Sequence, residues 1–250
     1  MYSLAVDTAT TQGSLALFKD KSLIDQCLWE KTGSHSEFIT QQFVRLLKKH
    51  SLNANAIKRV AVNIGPGSFT GIRVGINFAR ALGYTLKVPI FAANSLELLA
   101  LFFSQSCEKS CDFFVAQYAF RDLFYVAGYR FTQPDKNTST LSFSSRKTLV
   151  EVQSPAALTA QNFCEALKVP TVVLGTGLKY INEYVEESST KNIVAAKDIR
   201  TDSLATDFAF TSFLDEKPAL LTSWIHTIPL YIRASEAEEK LKLGHIKTHY

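Results

Sequence analysis

The chain opens with short runs in which apolar and polar residues alternate, and it then passes into helical periods. Residues 2–6 alternate toward Asp7, a turn follows at Thr8-Ala9-Thr10-Thr11-Gln12-Gly13, and Ser14-Leu15-Ala16-Leu17-Phe18 runs back. A second turn at Lys19-Asp20-Lys21 leads into Ser22 to Trp29. This period of two predicts a three-strand meander joined by hairpins. Ser34-His35-Ser36-Glu37 has the S-x-x-E form of a capping box and predicts a helix to about His50. Ile39, Phe43, Leu46, Leu47 and His50 form its apolar stripe, while Phe38, Gln42, Arg45 and Lys49 line a second face. His35, with no second histidine or carboxylate at ligand spacing, reads as a local hydrogen-bonding residue.

The apolar run Val60 to Ile64 meets Gly65-Pro66-Gly67-Ser68-Phe69-Thr70-Gly71-Ile72-Arg73-Val74-Gly75, and helical periodicity continues from Ile72 to Leu86. The pattern predicts strand, tight turn, helix. Such a turn has two uses. Free N–H groups and the positive end of a helix dipole can hold an anion, or the missing side chains let another backbone pack closely. The helix itself carries two faces. Ile72, Ile76, Ala79, Leu82, Gly83 and Leu86 are apolar, whereas Phe69, Arg73, Asn77, Arg80 and Tyr84 mix aromatic and basic groups. That mixture suits a protein interface better than a solvated surface, the alternative being a solvated face with incidental aromatics. A short strand at Pro89 to Ala93 follows, and Asn94-Ser95 caps a helix through Phe103.

From about residue 110 the order repeats. Phe113 to Ala119 and Leu123 to Phe131 read as paired strands, and Thr132 to Ser145 as a polar loop. Pro155 to Leu167 reads as a helix and Thr171 to Leu174 as a strand. Gly175-Thr176-Gly177 is a second glycine turn opening a helix toward Glu187, with strand and helix alternating on to Phe213. Two such rounds predict a duplicated α/β architecture with units at 1–108 and 109–228 and a tail at 229–250. In that tail Pro229-Leu230-Tyr231-Ile232-Arg233 is extended and Ala234 to Leu243 a charged helix.

Composition narrows the class. A content of 46% hydrophobic and 20% charged residues, with mean hydropathy +0.03, is that of a globular chain. A net charge of +4 tolerates a nucleic-acid partner without pointing to one. Neither a signal peptide nor a membrane span is legible, and Cys27, Cys107, Cys111 and Cys164 are too sparse for a disulfide framework, so a cytoplasmic setting is expected. No metal site is expected. Cys107 and Cys111 lack partner ligands, and the pair His245 and His249 lies in the last six residues, where fraying is the simpler outcome.

Asp7-Thr8-Ala9-Thr10, Ser34-His35-Ser36-Glu37-Phe38-Ile39, Gly65 to Gly75, Asn94-Ser95-Leu96-Glu97 and Pro229-Leu230-Tyr231-Ile232-Arg233 occur in the order and spacing of the bacterial TsaB (YeaZ) family. The resemblance is densest up to residue 100, and the G-P-G-S-F-T-G-I-R stretch carries most of it. It implies an actin-like ASKHA (ribonuclease H-like) fold, two duplicated α/β domains with mixed central sheets. It also implies a role in forming N6-threonylcarbamoyladenosine beside the anticodon of tRNAs that read A-starting codons. In that system TsaD transfers the carbamoyl group, TsaB is its non-catalytic dimerisation partner, and TsaE is an ATPase that joins the pair, so contact with tRNA is indirect. The family interface uses the helix after S-H-S-E and the helix after the glycine motif. Carried onto this chain it involves Phe38, Gln42, Arg45, Phe69, Arg73, Asn77, Arg80 and Tyr84. The catalytic paralogue has an internal H-x-x-x-H metal site, whereas residues 95–130 here contain no histidine.

The resemblance departs at Tyr118, which stands where relatives usually carry the aspartate of an Asp-Ala-Arg segment. The competing reading is an ASKHA ATPase or phosphotransferase, with Asp7, Thr8, Thr10, Thr11, Gly175 and Gly177 as candidate nucleotide-binding residues. No cofactor is expected otherwise, ATP or ADP entering only within an assembled complex. A third reading, direct tRNA binding through Arg45, Lys48, Lys49, Arg73 and Arg80, stays open, as does homodimerisation of the lone chain. A peptidase is disfavoured because neither a zinc signature nor a nucleophile triad is legible. Gly65, Gly67 and Gly71 are expected to act by close packing, which sets the exit angle of the helix behind them.

Overall fold

The computed structural model describes residues 1–20, 22–30, 35–104, 111–132, 148–196 and 221–233. Strands β1 (Tyr2–Asp7), β2 (Gln12–Lys19) and β3 (Ser22–Glu30) form the expected antiparallel meander. Helix α1 (His35–Lys49) leads to β4 (Ile57–Asn63), which pairs parallel to β1. Helix α2 (Phe69–Leu86) crosses to β5 (Ile90–Ala93), parallel to β4, and α3 (Ser95–Ser104) follows. Asn94 caps α3, its side-chain oxygen accepting from Glu97 N at 2.7 Å. Of the capping box predicted for α1, Ser34 lies outside the described residues.

The second unit repeats this wiring. Strands β6 (Asp112–Phe120), β7 (Leu123–Thr132) and β8 (Thr148–Thr159) form a second antiparallel meander. After α4 (Ala160–Ala166), β9 (Thr171–Leu174) pairs parallel to β6, and β10 (Ile193–Ala195) parallel to β9. The two sheets run β11-β5-β4-β1-β2-β3 and β10-β9-β6-β7-β8. Apart from β11 (Leu221–Thr222) the strand orders match one for one, which is the predicted duplicated fold with mixed central sheets.

Helices α1 and α2 cover one face of the first sheet, where Ile39, Phe43, Leu46, Ile72 and Ile76 meet Leu4, Val6, Leu15, Val60 and Val62. On the opposite face Leu98 of α3 packs with Ala5, Phe18 and Phe91, while Leu96 and Leu99 of the same helix pack on Phe113, Val115 and Tyr129 of the second sheet. A single helix thus contributes to the cores of both units, consistent with its high apolar content.

Two predicted helices fall short. Residues 155–159 extend β8, and α4 begins only at Ala160, capped by the Thr159 hydroxyl that accepts from Asn162 N. The register passes from Val126↔Ala156 to Gly128↔Gln153, so Ser154 and Pro155 sit in a bulge of an edge strand, a place that tolerates proline. The helix expected from Gly175 toward Glu187 is three short 3-10 turns, at Thr176–Lys179, Ile181–Glu183 and Glu187–Thr190. Tyr180 and Tyr184, at φ −112 and −119, leave helical geometry while their rings stack on Tyr118 at 4.3 and 6.4 Å. Ring packing prevails over helix propagation there.

His50, predicted to be buried, is half-exposed and bonds the Asp25 carboxylate. The last described segment also returns to the first unit, because β11 pairs antiparallel to β5. Residues 221–222 therefore lie in the first sheet and outside the unit that the sequence drew as 109–228. The polar loop beyond residue 132, Cys107, the alternation toward Phe213, the charged tail helix and both tail histidines lie outside the described residues.

At Gly71 an added Cβ would stand 2.0 Å from the Thr8 carbonyl oxygen. Gly71→Ala is expected to destabilise the fold by about 2 kcal/mol or more, as overpacking does. By calorimetry that should lower the unfolding midpoint by roughly 4–8 °C. A midpoint equal to that of the wild type would contradict the close approach.

Candidate functional site

The candidate site is built on the turn from β4 to α2. Gly65 has φ +103, a conformation that favours glycine. A Cβ at Gly67 would lie 2.3 Å from the Ala9 carbonyl oxygen, and one at Gly75 2.5 Å from Thr8 Oγ1. Bonds close the joint. Ser68 N donates to Ala9 O at 2.7 Å, and the Thr8 hydroxyl donates to Gly71 O at 2.7 Å. The glycine turn is clasped onto the first hairpin.

Beneath the clasp lies a buried polar network. Asp7 Oδ1 accepts from Ala9 N at 2.8 Å and from the Asn63 amide at 3.2 Å. Asn63 Oδ1 in turn accepts from Gly65 N and from the Ser95 hydroxyl, each at 2.9 Å. The N–H groups of Ala9, Gly65, Ser68 and Gly71, which an anion would need, are thus directed at Asp7, Asn63, Ala9 and Ser68. Thr10 donates to Gln12 O, and Thr11 is exposed. Gly175 and Gly177 form a separate joint in the second unit, their missing Cβ positions 2.3 and 2.8 Å from Ala116 O.

His35 is buried and joins three elements. Its Nδ1 accepts from Trp29 Nε1 at 3.1 Å and its Nε2 donates to Thr10 O at 2.9 Å, tying β3 and the first turn to the start of α1. The tautomer follows from these partners.

On the outer side of α2, Asn77 and Tyr84 are exposed and Phe69 and Arg80 half-buried. On α1, Phe38 and Gln42 are half-buried, and Phe38 packs against the core shared with Val74, Phe78 and Leu82. Phe43 and Phe78 join the two helices edge to face at 5.5 Å. A groove of about 760 Å³ runs along the outward side of α1, lined by Thr40, Gln41, Val44, Arg45, Lys48 and Lys49. Among the described residues Arg45, Lys48, Arg73 and Arg80 have no carboxylate partner.

Sequence reasoning did not foresee that the chain itself covers part of this face. Residues 221–233 run back along α2. Trp224 packs edge to face on Tyr84 at 5.1 Å, and Tyr231 stacks on Phe69 at 4.7 Å. Arg73 lies 3.8 Å above the Phe69 ring and its Nε donates to the Tyr231 hydroxyl at 2.7 Å. In the segment between these anchors Ile225 and Ile228 stay 54% and 65% exposed. The signal for Tyr231 was present in the P-L-Y-I-R motif, but nothing in the spacing assigned it to α2.

With this geometry in hand, comparison with known proteins is decisive. A family model described as TsaD, tRNA N6-adenosine threonylcarbamoyltransferase, matches residues 30–240. The chain belongs to that family. Within it the similarity is to TsaB (YeaZ) proteins. One relative, the tRNA threonylcarbamoyladenosine biosynthesis protein TsaB of Buchnera aphidicola, is 36% identical over 100 residues, 39% of this chain and 46% of the relative. The protein of that name from Bacillus subtilis is 32% identical over 40% of this chain and 44% of its own length. The chain thus spans less than half the length of these curated relatives. YeaZ from Pseudomonas aeruginosa shares the fold across 92% of this chain and 99% of its own, with a TM-score of 0.65 at 20% identity.

Within this TsaB-like chain, α1 is tied to β3 through Asp25, whose carboxylate contacts Lys49 Nζ at 2.7 Å and His50 Nε2 at 2.8 Å. Burial raises its pKa, but hydrogen bonds from Lys49, His50 and Gln26 N prevail and bring it from 3.8 down to about 2. Because the folded value is depressed, this contribution to stability is complete above the unfolded value and is lost as pH falls through about 2. Asp25→Asn should therefore lower the unfolding midpoint at pH 6, and the gap from wild type should close between pH 4 and 2. A gap that stays constant over that range would rule out the ion-pair account.

Proposed function

We propose that this chain is the non-catalytic scaffold and activating subunit of the assembly that forms N6-threonylcarbamoyladenosine next to the anticodon of tRNAs reading A-starting codons. It pairs with the TsaD transferase, and TsaE joins through that pair. The tRNA is met mainly through the partner, in the cytoplasm. The curated relatives bear the name of that biosynthesis, which supports the pathway.

The observation that carries the scaffold reading is the face of α1 and α2. Interfaces concentrate binding energy in aromatic and arginine side chains, and this face presents Phe69, Arg73, Arg80 and Tyr84 at helical spacing. Arg45, Lys48, Arg73 and Arg80 of this face lack carboxylate partners among the described residues, so a partner can supply them. The committed N–H groups of the first hairpin and glycine turn support a packing role for Gly65, Gly67 and Gly71, and weigh against an ATPase built on Asp7, Thr8 and Thr10. The lone chain can use the same helices to pair with itself at high concentration, the partner displacing that homodimer.

The test is co-purification with TsaD. Arg73→Glu combined with Phe69→Asp reverses one charge and places another in the stack, and recovery of the complex should fall at least about tenfold, the loss typical of a hot spot. Recovery equal to wild type would remove this face from the interface.

A further inference from the structure

We propose that Tyr231 is a positioning residue that holds the Arg73 guanidinium so that its free edge grips a carboxylate on an acidic helix of the partner. This rests on the reading of the α2 face as a docking surface and adds the chemistry of what docks there.

An arginine on a helix surface ordinarily samples many rotamers, and ordering it on binding costs free energy. Arg73 is already ordered. Its guanidinium lies 3.8 Å from the centroid of Phe69 and 5.6 Å from that of Tyr231, and its Nε donates to the Tyr231 hydroxyl at 2.7 Å. The hydroxyl is itself fixed from far along the chain, since Leu230 N donates to Ile64 O at 2.8 Å and Phe69 stacks on the ring. Of the five N–H donors of a guanidinium, the bond to Tyr231 uses the one on Nε. The two Nη groups have no partner among the described residues. That end of the fork matches a carboxylate with two parallel hydrogen bonds.

The surroundings select the occupant. Arg80, Arg45 and Lys48 also lack carboxylate partners among the described residues, so a second copy of this face would meet it with like charge, which confines self-pairing to high concentration and favours an acidic partner. Bare phosphates would satisfy the cations but not the apolar side chains of Ile225 and Ile228 on the returning segment and of Tyr84 on α2, exposed by 54%, 65% and 55%. An amphipathic protein helix with acidic side chains satisfies both.

The experiment measures the dissociation constant of the full chain for TsaD by titration calorimetry at two salt concentrations, using wild type, Tyr231→Phe, Arg73→Lys and the double variant. Tyr231→Phe keeps the ring and the charge, so the chain should still fold and the salt dependence of binding should match wild type while affinity falls about 5- to 10-fold, the cost of ordering one long side chain on binding. Lysine has no Nε fork for the tyrosine to hold, so adding Tyr231→Phe to Arg73→Lys should cost less than about 2-fold further. Wild-type affinity in Tyr231→Phe, or costs that multiply in the double variant, would overturn the inference while leaving the interface standing. If the lone chain binds tRNA and Tyr231→Phe weakens that binding instead, the carboxylate partner is wrong. If wild type does not bind TsaD at all, the functional reading falls and this inference with it.

Discussion

The contact on which the structure depends is the approach of two carbonyl oxygens to two glycines. The Thr8 and Ala9 carbonyls stand where side chains at Gly71 and Gly67 would be. Any larger residue would push α2 off the first sheet, and the pairing of β1 with β4, the burial of Ile72 and Ile76 and the outward aim of Phe69 and Arg73 all depend on that distance. The same device recurs in the second unit, where Gly175 and Gly177 admit the Ala116 carbonyl. A fold made of two matching sheets uses one joint twice, each time where the strand after the meander passes into its crossover.

This joint answers a question that the glycine motif alone leaves open. A glycine-rich turn before a helix can cradle an anion because its N–H groups are unclaimed. Here Asn63, Asp7, Ser68 and Ala9 claim them from within the chain. The distinction was not legible in the turn itself, since it depends on Asn63 and Ser95, residues whose neighbours in sequence give no hint that they converge.

Much of the fold was legible because its elements are local. The meander, the capped α3 and the two faces of α2 follow from periods of two and of 3.6. The errors came where contacts distant in sequence overrode local preference. Pro155-Ala156-Ala157-Leu158 suits a helix until β7 offers an edge to extend, and the stretch after Gly177 suits one until Tyr118 offers a ring to stack on. The candidate face was found from spacing, but its covering by Trp224 and Tyr231 was not, because those contacts join residues about 150 positions apart.

The return of residues 221–233 reconciles two demands that the proposed docking would place on α2. A docking face needs aromatic and cationic side chains in fixed rotamers, yet an exposed helix surface leaves them mobile. A turn at Trp224–His226 sets Trp224 on Tyr84, and the chain then runs on to stack Tyr231 on Phe69, so one strap braces both ends. It braces them from the side: Tyr84 stays 55% exposed and Tyr231 40%. The charges are sorted in the same manner. Lys49 is neutralised by Asp25 and serves the joint between α1 and β3, while Arg45, Lys48 and Arg80 are left without carboxylates among the described residues. On α1 and α2 the cation that holds the fold, Lys49, is paired within the chain, and the cations of the candidate face are not paired with carboxylates among the described residues. That division leaves α1 and α2 with a basic surface whose charge the described part of the chain does not neutralise, which is the property the proposed docking relies on.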